Sequence, residues 1–406
     1  MQVTIHPSEC HGTIVAPPSK SMSHRLLICA GLGSGTSTIS NIAFSDDVLA
    51  TIDCLKALGA NVVCGENCVT VTGINGHIEA NDILRCNECG STLRFFIGIA
   101  LLGTKNITLS GSQRLLQRPL SVYEELCSES NLLLTKNETE VTVCGRLTPK
   151  RYEIDGSVSS QFVSGLLFAL PLLNGSSTIV LQGKVESRPY IDMTLSAMAT
   201  FGVKAEWLSQ NEITISGVQC YQAQNVAAEG DWSNAAFFLS LGENVKLTGL
   251  RNDSLQGDKV CQEYFAQLCH GTPTLDISDC PDLGPILFAF AASHNGGTFT
   301  GTERLKIKES DRVASMQAEL AKMGITVTES NNTVTVHSAK MHKPTEPIDC
   351  HNDHRIAMAM ATLLLQTGGT LTGAECVNKS LPDYFIRLEK LGANIMAVPC
   401  EVRHCR

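Results

Sequence analysis

The sequence has no unbroken run of about 18 apolar residues, the length a membrane-spanning helix needs. Its first residues, Met1-Gln2-Val3-Thr4-Ile5, lack the basic start and apolar stretch of a secretory signal and the Arg/Ser richness of a transit peptide, so a cytoplasmic protein is expected. Positive charge is not in excess: the net charge of −9 disfavours a general nucleic-acid or membrane-surface binder. No Walker-type Gly-Lys-Ser/Thr run exists, which argues against a nucleotide-driven kinase. Gly31-Leu32-Gly33-Ser34-Gly35-Thr36 has the outline of a dinucleotide fingerprint. It follows a helical stretch, however, and ends in Thr36 where a Gly is required, so it reads as a helix stop and turn. Cys86-Asn87-Glu88-Cys89 and His351-Asn352-Asp353-His354 each lack a second half at zinc spacing, and no metal is expected. The 17 cysteines are odd in number and scattered through apolar runs, which excludes a disulfide framework and reads as small buried hydrophobes in a reducing compartment.

What is present is a long globular chain. At 406 residues it exceeds one ordinary core and suggests two domains, and 43% hydrophobic with 17% charged residues leaves no disordered segment. Its organisation is a repeat. Helix-like stretches end in an apolar residue, a Gly and an alternating strand around Gly59, Gly202, Gly324 and Gly392, with Ser130 and Gly271 in the same place. Such a Gly is expected at the helix C′ position, where φ is positive. Most steps between these anchors are close to 70 residues, and the step from Gly271 to Gly324 is 53.

Alternating runs around polar turns follow four anchors, with turns at Gly65-Glu66-Asn67, Asn137-Glu138, Gln210-Asn211 and Asn331-Asn332, and these predict hairpins. Counting 29 residues on from an anchor reaches Glu88, Ser159, Asp231 and Asp353, each heading an apolar helical run. After Gly271 the matching head, Pro281-Asp282-Leu283-Gly284, comes 11 residues on, so 18 residues, about one hairpin, are missing. Second helices are expected at 46–58, 119–129, 190–201, 258–269, 309–323 and 382–391. The plan is strand–helix–strand–helix–hairpin, six βαβαββ-like α/β units with the fourth shortened. Three units precede the polar stretch 222–229 and three follow it. Two pseudo-threefold domains are expected: 18–227, and 1–17 with 228–406.

A helix start offers unpaired N–H groups and the positive end of the dipole, which suits phosphate or carboxylate. Here the starts carry or adjoin Lys20 and Arg25, Arg94, Arg118, Arg188, Lys308 and Arg312, Arg355 and Lys379. One such cation is ordinarily a solvated surface residue; a set in register with a repeat, on an acidic protein, points to anion binding. Asp282 and Glu309 adjoin the same starts and could move protons. On spacing alone Asp282 is as readily an N-cap, and Glu309, with Lys308 and Arg312 beside it, is the better candidate.

Six motifs then resemble those of 5-enolpyruvylshikimate-3-phosphate (EPSP) synthases, in family order from about residue 16 to 385. They are Pro18-Ser19-Lys20-Ser21-Met22-Ser23-His24-Arg25, Asp155-Gly156-Ser157-Val158-Ser159-Ser160-Gln161-Phe162 and Ser187-Arg188-Pro189-Tyr190-Ile191-Asp192, followed by Lys308-Glu309-Ser310-Asp311-Arg312, Asn352-Asp353-His354-Arg355 and Pro382-Asp383-Tyr384-Phe385. The resemblance implies a two-domain inside-out α/β barrel with the active site in the cleft between domains. It implies transfer of the enolpyruvyl group of phosphoenolpyruvate to the 5-hydroxyl of shikimate 3-phosphate, with release of phosphate, in aromatic amino-acid biosynthesis. No cofactor or metal, and a monomer, are expected.

Carried over by position, Lys20, Ser21, Arg25, Ser159, Ser160, Gln161, Ser187, Tyr190, Asp282 and Lys308 are implied for shikimate 3-phosphate. Lys20, Gly90, Arg118, Gln161, Arg312, Arg355 and Lys379 are implied for phosphoenolpyruvate. Asp282 is implied as proton acceptor and Glu309 as proton donor, with Lys20 also in the catalytic set. A carboxylate between Lys308 and Arg312 ordinarily stays ionised, so bound anions would have to raise the pKa of Glu309.

Two departures stand out. The family's Asn-Ala-Gly-Thr loop reads Glu88-Cys89-Gly90-Ser91 here, which places an anion near an anion site and bears on inhibitor sensitivity. A position often Asn, four before Lys308, is Arg304. The alternatives are the enolpyruvyl transferase that acts on UDP-N-acetylglucosamine and a non-catalytic anion-binding scaffold. The first would be expected to carry Lys-Asn where this chain has Lys20-Ser21, and it lacks the Ser-Ser-Gln run; intact Lys20, Asp282, Glu309 and Lys379 speak against the second.

Overall fold

A computed structural model of the chain describes residues 1–80 and 82–398. Among these residues lie six small sheets, five of four strands and one of two. The four-stranded sheets share one plan. Leu84–Arg85 runs parallel to Ile107–Ser110, which pairs antiparallel with Glu140–Cys144, and Leu133–Lys136 forms the edge. In the sixth repeat the start of the chain completes the sheet, Gln2–His6 lying antiparallel between Gly369–Thr372 and Asn394–Val398. The two-stranded sheet pairs Gly12–Val15 with Val245–Thr248 in parallel and has no hairpin, which is the shortening of the fourth unit.

Equivalent positions repeat chemically as well. Thr4–Thr370, Thr36–Thr72, Thr108–Thr142 and Thr298–Thr335 face each other across antiparallel strands with hydroxyls 3.2, 2.9, 2.9 and 3.2 Å apart. Each such pair contributes on the order of 0.2–1 kcal/mol. The Asn331-Asn332 hairpin turn has φ of 48° and 58°, the double left-handed conformation that matches strand twist.

The helix stops correct the anchors in two places. Gly59, Gly202, Gly324 and Gly392 do take positive φ. Ser130 does not (φ −99°); the left-handed residue is Asn131 at φ 54°, so this anchor moves one residue on. Gly271 is extended at φ 177°, because no hairpin follows that has to be turned into. The first helix head also moves by one: Cys89 rather than Glu88 caps Gly90–Ala100, while Ser159, Asp231 and Asp353 cap their helices with their side chains.

The described residues divide into two compact units, Pro18–Glu229 with Asp253–Gln256, and Met1–Pro17 with Gly230–Asn252 and the described residues from Gly257 on. In each, the first helices of the repeats are apolar on nearly every face and bury in the middle, with the sheets outside them. In the unit 18–229, Gly90–Ala100 packs on Ser160–Ala169 with Gly98 and Gly165 back to back, and a Cβ on Gly98 would lie 2.6 Å from the Gly165 backbone. The Tyr123 hydroxyl donates to the Arg94 carbonyl at 2.7 Å. In the other unit, Gly284–Ala292 packs against His354–Thr367, and the Tyr384 hydroxyl donates to the Met358 carbonyl at 3.0 Å. No described helix is long and apolar enough to cross a membrane. All fifteen described cysteines are free thiols; ten are buried, whereas Cys64, Cys220 and Cys269 are exposed, against the expectation that the set is internal.

Candidate active site

Each unit carries a cluster of the predicted residues. In the unit 18–229, Ser19 caps the helix Lys20–Leu32 by accepting from Met22 N at 3.3 Å, which sets Lys20 at its first position. Lys20 Nζ lies 2.7 Å from Asp47 Oδ2, and Asp47 sits in the first turn of Asp46–Ala57, where a carboxylate suits the dipole. Arg25 is 3% exposed. It donates through Nε to Thr194 Oγ1 (2.9 Å), through Nη1 to the Ser21 carbonyl (2.7 Å) and through Nη2 to the Tyr190 carbonyl (2.9 Å). Phe95 and Tyr190 present ring faces 5.4 and 5.9 Å away. Burial pushes Arg25 down to about 10, with Tyr190 and Cys29 opposing. Ser187 is buried and left-handed (φ 54°) just ahead of Arg188–Thr200.

A second group gathers at the head of Gly90–Ala100. A Cβ on Gly90 would lie 2.5 Å from Arg118 Nη1, so glycine is what lets this buried guanidinium reach the helix start. Arg94 donates to Gln161 Oε1 at 2.8 Å and to the Pro119 carbonyl at 3.2 Å, over the Phe162 ring. Gln161 Nε2 in turn donates to Ser91 Oγ at 2.9 Å, Ser159 caps Ser160–Ala169, and Ser160 is buried in its first turn. The structure thus joins Lys20, Ser21, Arg25 and Tyr190, and separately Gly90, Arg118 and Gln161. Arg188 belongs to neither group: it stacks on Trp207 at 3.8 Å and donates to the Gln210 carbonyl, toward its own hairpin.

The other unit centres on Asp282, in the turn before Gly284–Ala292. Its Oδ1 lies 3.0 Å from Arg312 Nη1 and 3.4 Å from Lys308 Nζ, and its Oδ2 lies 2.9 Å from Arg355 Nη2. Arg312 is 1% exposed and also meets Glu309 Oε2 at 2.8 Å and Asp353 Oδ2 at 2.9 Å. Burial would lower Arg312, but Asp353, Glu309 and Asp282 together hold it above its ordinary value. Burial would raise Asp353, and Arg312 holds it below the usual carboxylate range. Burial pushes Lys308 down to about 8, with Asp282 opposing. A second buried carboxyl, Asp258, is pushed up to about 6 by burial and the charge of Asp282, with Arg355 opposing. Lys379 Nζ donates to the Asn352 carbonyl at 2.6 Å, in a turn where His351 and Asn352 are both left-handed. Arg304 is buried and donates to the Ser278 carbonyl at 2.9 Å, so it is bound into its own unit.

Sequence reasoning missed four holders of these residues. Asp47 and Thr194, on other helices, carried no signal. Asp353 was read as a helix head but not as the partner of Arg312, and Asn352 acts through its carbonyl, which any residue would supply.

Repeated units of this kind, with cations at inward helix heads and a carboxylate among three of them, define an α/β enzyme for small polyanionic substrates. Comparison with known proteins narrows the class. A family model described as EPSP synthase (3-phosphoshikimate 1-carboxyvinyltransferase) matches residues 5–388. The 3-phosphoshikimate 1-carboxyvinyltransferase of Clostridium kluyveri is 38% identical over 419 residues, covering 97% of this chain and 98% of that protein. That of Clostridium perfringens (strain 13) is 37% identical over 417 residues, covering 96% and 98%. In fold, the chain is similar to an EPSP synthase structure from Acinetobacter baumannii, with a TM-score of 0.80 at 21% identity and coverage of 98% and 100%. The chain belongs to the EPSP synthase family.

Proposed function

We propose that these residues serve the family's reaction, most by holding its two anionic substrates and Asp282 and Glu309 by moving protons. The chain transfers the enolpyruvyl group of phosphoenolpyruvate to shikimate 3-phosphate in the shikimate pathway. The substrates bring two phosphates and two carboxylates together, and these repel unless cations offset them. Lys20, Ser21, Arg25, Ser159, Ser160, Gln161, Ser187 and Tyr190, with Lys308 and Asp282, take shikimate 3-phosphate. Gly90, Arg118, Arg312, Arg355 and Lys379, with Lys20 and Gln161, take phosphoenolpyruvate.

The 5-hydroxyl oxygen bonds to C2 of phosphoenolpyruvate as its proton passes to Asp282, and Glu309 gives a proton to the C3 methylene. In the second half Glu309 takes a proton back from the C3 methyl, the double bond re-forms, and the C2–O bond to phosphate breaks, with the proton on Asp282 passing to the departing phosphate or solvent. The balance needs no redox partner. The observation that carries this reading is Asp282 held by Lys308, Arg312 and Arg355 at 3.4, 3.0 and 2.9 Å: a carboxylate paired with cations that an incoming anion also seeks. The reading has the chain acting as a cytoplasmic monomer with domains 18–227 and 1–17 plus 228–406.

Phosphate release is the test. Phosphoenolpyruvate with shikimate 3-phosphate is expected to yield phosphate, and phosphoenolpyruvate with UDP-N-acetylglucosamine none. Turnover with the nucleotide sugar, or binding of both substrates without turnover, overturns the reading.

A further inference from the structure

Three side chains from three helices of the unit 18–229 converge outside the substrate contacts named above. His24 lies in Lys20–Leu32, Asp47 in Asp46–Ala57, and Cys89 caps Gly90–Ala100. One ligand atom of each lies within 4.8 Å of the other two, and their exposures are 1%, 8% and 2%. Cys89 Sγ is 4.0 Å from His24 Nε2 and accepts from Thr92 N at 3.4 Å, a cap bond that orients the thiol.

The imidazole is fixed from behind. His24 Nδ1 is 2.7 Å from Thr51 Oγ1, which is 2.7 Å from Thr92 Oγ1. With Nδ1–H donated to Thr51, the Nε2 lone pair faces Cys89; a metal-binding histidine is held by its other nitrogen in the same way. Burial, then the charges of Lys20 and Arg25, hold His24 well below its ordinary pKa, and burial pushes the Cys89 thiol up.

We propose that His24 Nε2, Asp47 and Cys89 Sγ form a binding site for a soft divalent cation, zinc or cadmium, whose occupancy inhibits the enzyme by taking Asp47 from Lys20. Sulfur, imidazole and carboxylate together favour zinc over magnesium. Zinc bonds of about 2.0–2.3 Å put tetrahedral ligands roughly 3.3–3.7 Å apart, so the widest-spaced of the three atoms need close by up to about 1.5 Å, leaving the fourth position to water. Binding replaces the Cys89 thiol proton, which passes to solvent, so one proton is released per ion. The coupling follows from charge. Asp47 Oδ2 is 2.7 Å from Lys20 Nζ, and a dication on that carboxylate repels the ammonium that the proposed reaction needs on its substrates. The site is not visible as spacing, because the ligands come from three separate helices. Cys89 supplies its thiol here without any CxxC partner.

The full chain, stripped with EDTA, is titrated with cadmium or zinc alone. Cadmium is followed by its thiolate charge-transfer absorbance. The other thiols are controlled by comparison with Cys89→Ser, which keeps the size and the helix cap. The parent is expected to show a one-equivalent step that Cys89→Ser loses or weakens by at least about tenfold. His24→Asn, which leaves the thiol in place, is expected to weaken the same step. Zinc is expected to inhibit phosphate release by the parent far more than by Cys89→Ser, each relative to its own zinc-free rate. Identical titrations of parent and Cys89→Ser overturn the site. Loss of the step with inhibition unchanged overturns the coupling to Lys20. The titration uses no substrate, so its outcome is independent of the proposed reaction.

Discussion

Arg25 and Arg312 are both buried near the heads of inward helices, one in each unit, and they are held in opposite ways. Arg25 gives its N–H groups to a hydroxyl and two carbonyls; Arg312 gives its own to Asp282, Glu309 and Asp353. The pKa directions follow, down for Arg25 and up for Arg312. Neutral acceptors fix a guanidinium without cancelling its charge, so Arg25 keeps its field for the anion that the proposed function brings to it. Carboxylates cancel that field locally, and in return the cations hold Asp282 and Glu309 in place. On the proposed reading, one unit meets the substrates with a cation held by neutral acceptors, and the other with cations already paired to its acids. The difference would be invisible in a count of Lys and Arg.

The largest expected effect comes from removing the proposed base. Asp282→Asn should lower kcat by about 10²–10⁴-fold while shikimate 3-phosphate binding holds or tightens, since Lys308, Arg312 and Arg355 lose a competing partner. Steady-state phosphate release and calorimetric binding give the two numbers. Next is stability. Asp353→Ala leaves Arg312 short of a fully buried partner and should cost about 3–5 kcal/mol in urea unfolding. Arg25→Met, which removes a charge held by dipoles, should cost about 1–2 kcal/mol. Equal costs would erase the contrast between the units.

Smaller is a pH effect on Lys308. Its folded value, about 8, lies below the reference value of 10.5, so folding disfavours the charged form. That cost is present below pH 8 and relieved as pH rises toward 10. The ammonium that the proposed function gives to shikimate 3-phosphate is lost over the same range. The kcat/KM for shikimate 3-phosphate should therefore fall up to about tenfold per pH unit above 8, and Lys308→Arg should move the fall upward. The smallest is Glu88→Asn, which removes an anion two residues from Gly90. It should lower the KM for phosphoenolpyruvate by about two- to five-fold, an effect of under 1 kcal/mol.

Much of the fold was legible because repeats announce themselves through residues with few alternatives. The positive-φ glycines, the Asn331-Asn332 turn and the caps Ser159, Asp231 and Asp353 each answer to one local requirement. Where two residues meet the same need, the reading slipped by one, as at Ser130 and Asn131, or at Glu88 and Cys89. The site was legible only in part. Lys20 and Arg25 stand in a motif. Asp47 is 27 residues from Lys20 and Thr194 is 169 from Arg25, separations that no local pattern encodes. The same distance hid the cluster of His24, Asp47 and Cys89.

The division of labour between the units is tested most directly by phosphate-release kinetics of Arg25→Met and Asp282→Asn beside the parent, with shikimate 3-phosphate varied at saturating phosphoenolpyruvate. The account predicts that Arg25→Met raises KM by about tenfold or more, with the smaller part of its loss in kcat, whereas Asp282→Asn loses kcat with KM unchanged or lower. The same split for both variants, or the reverse assignment, would contradict it.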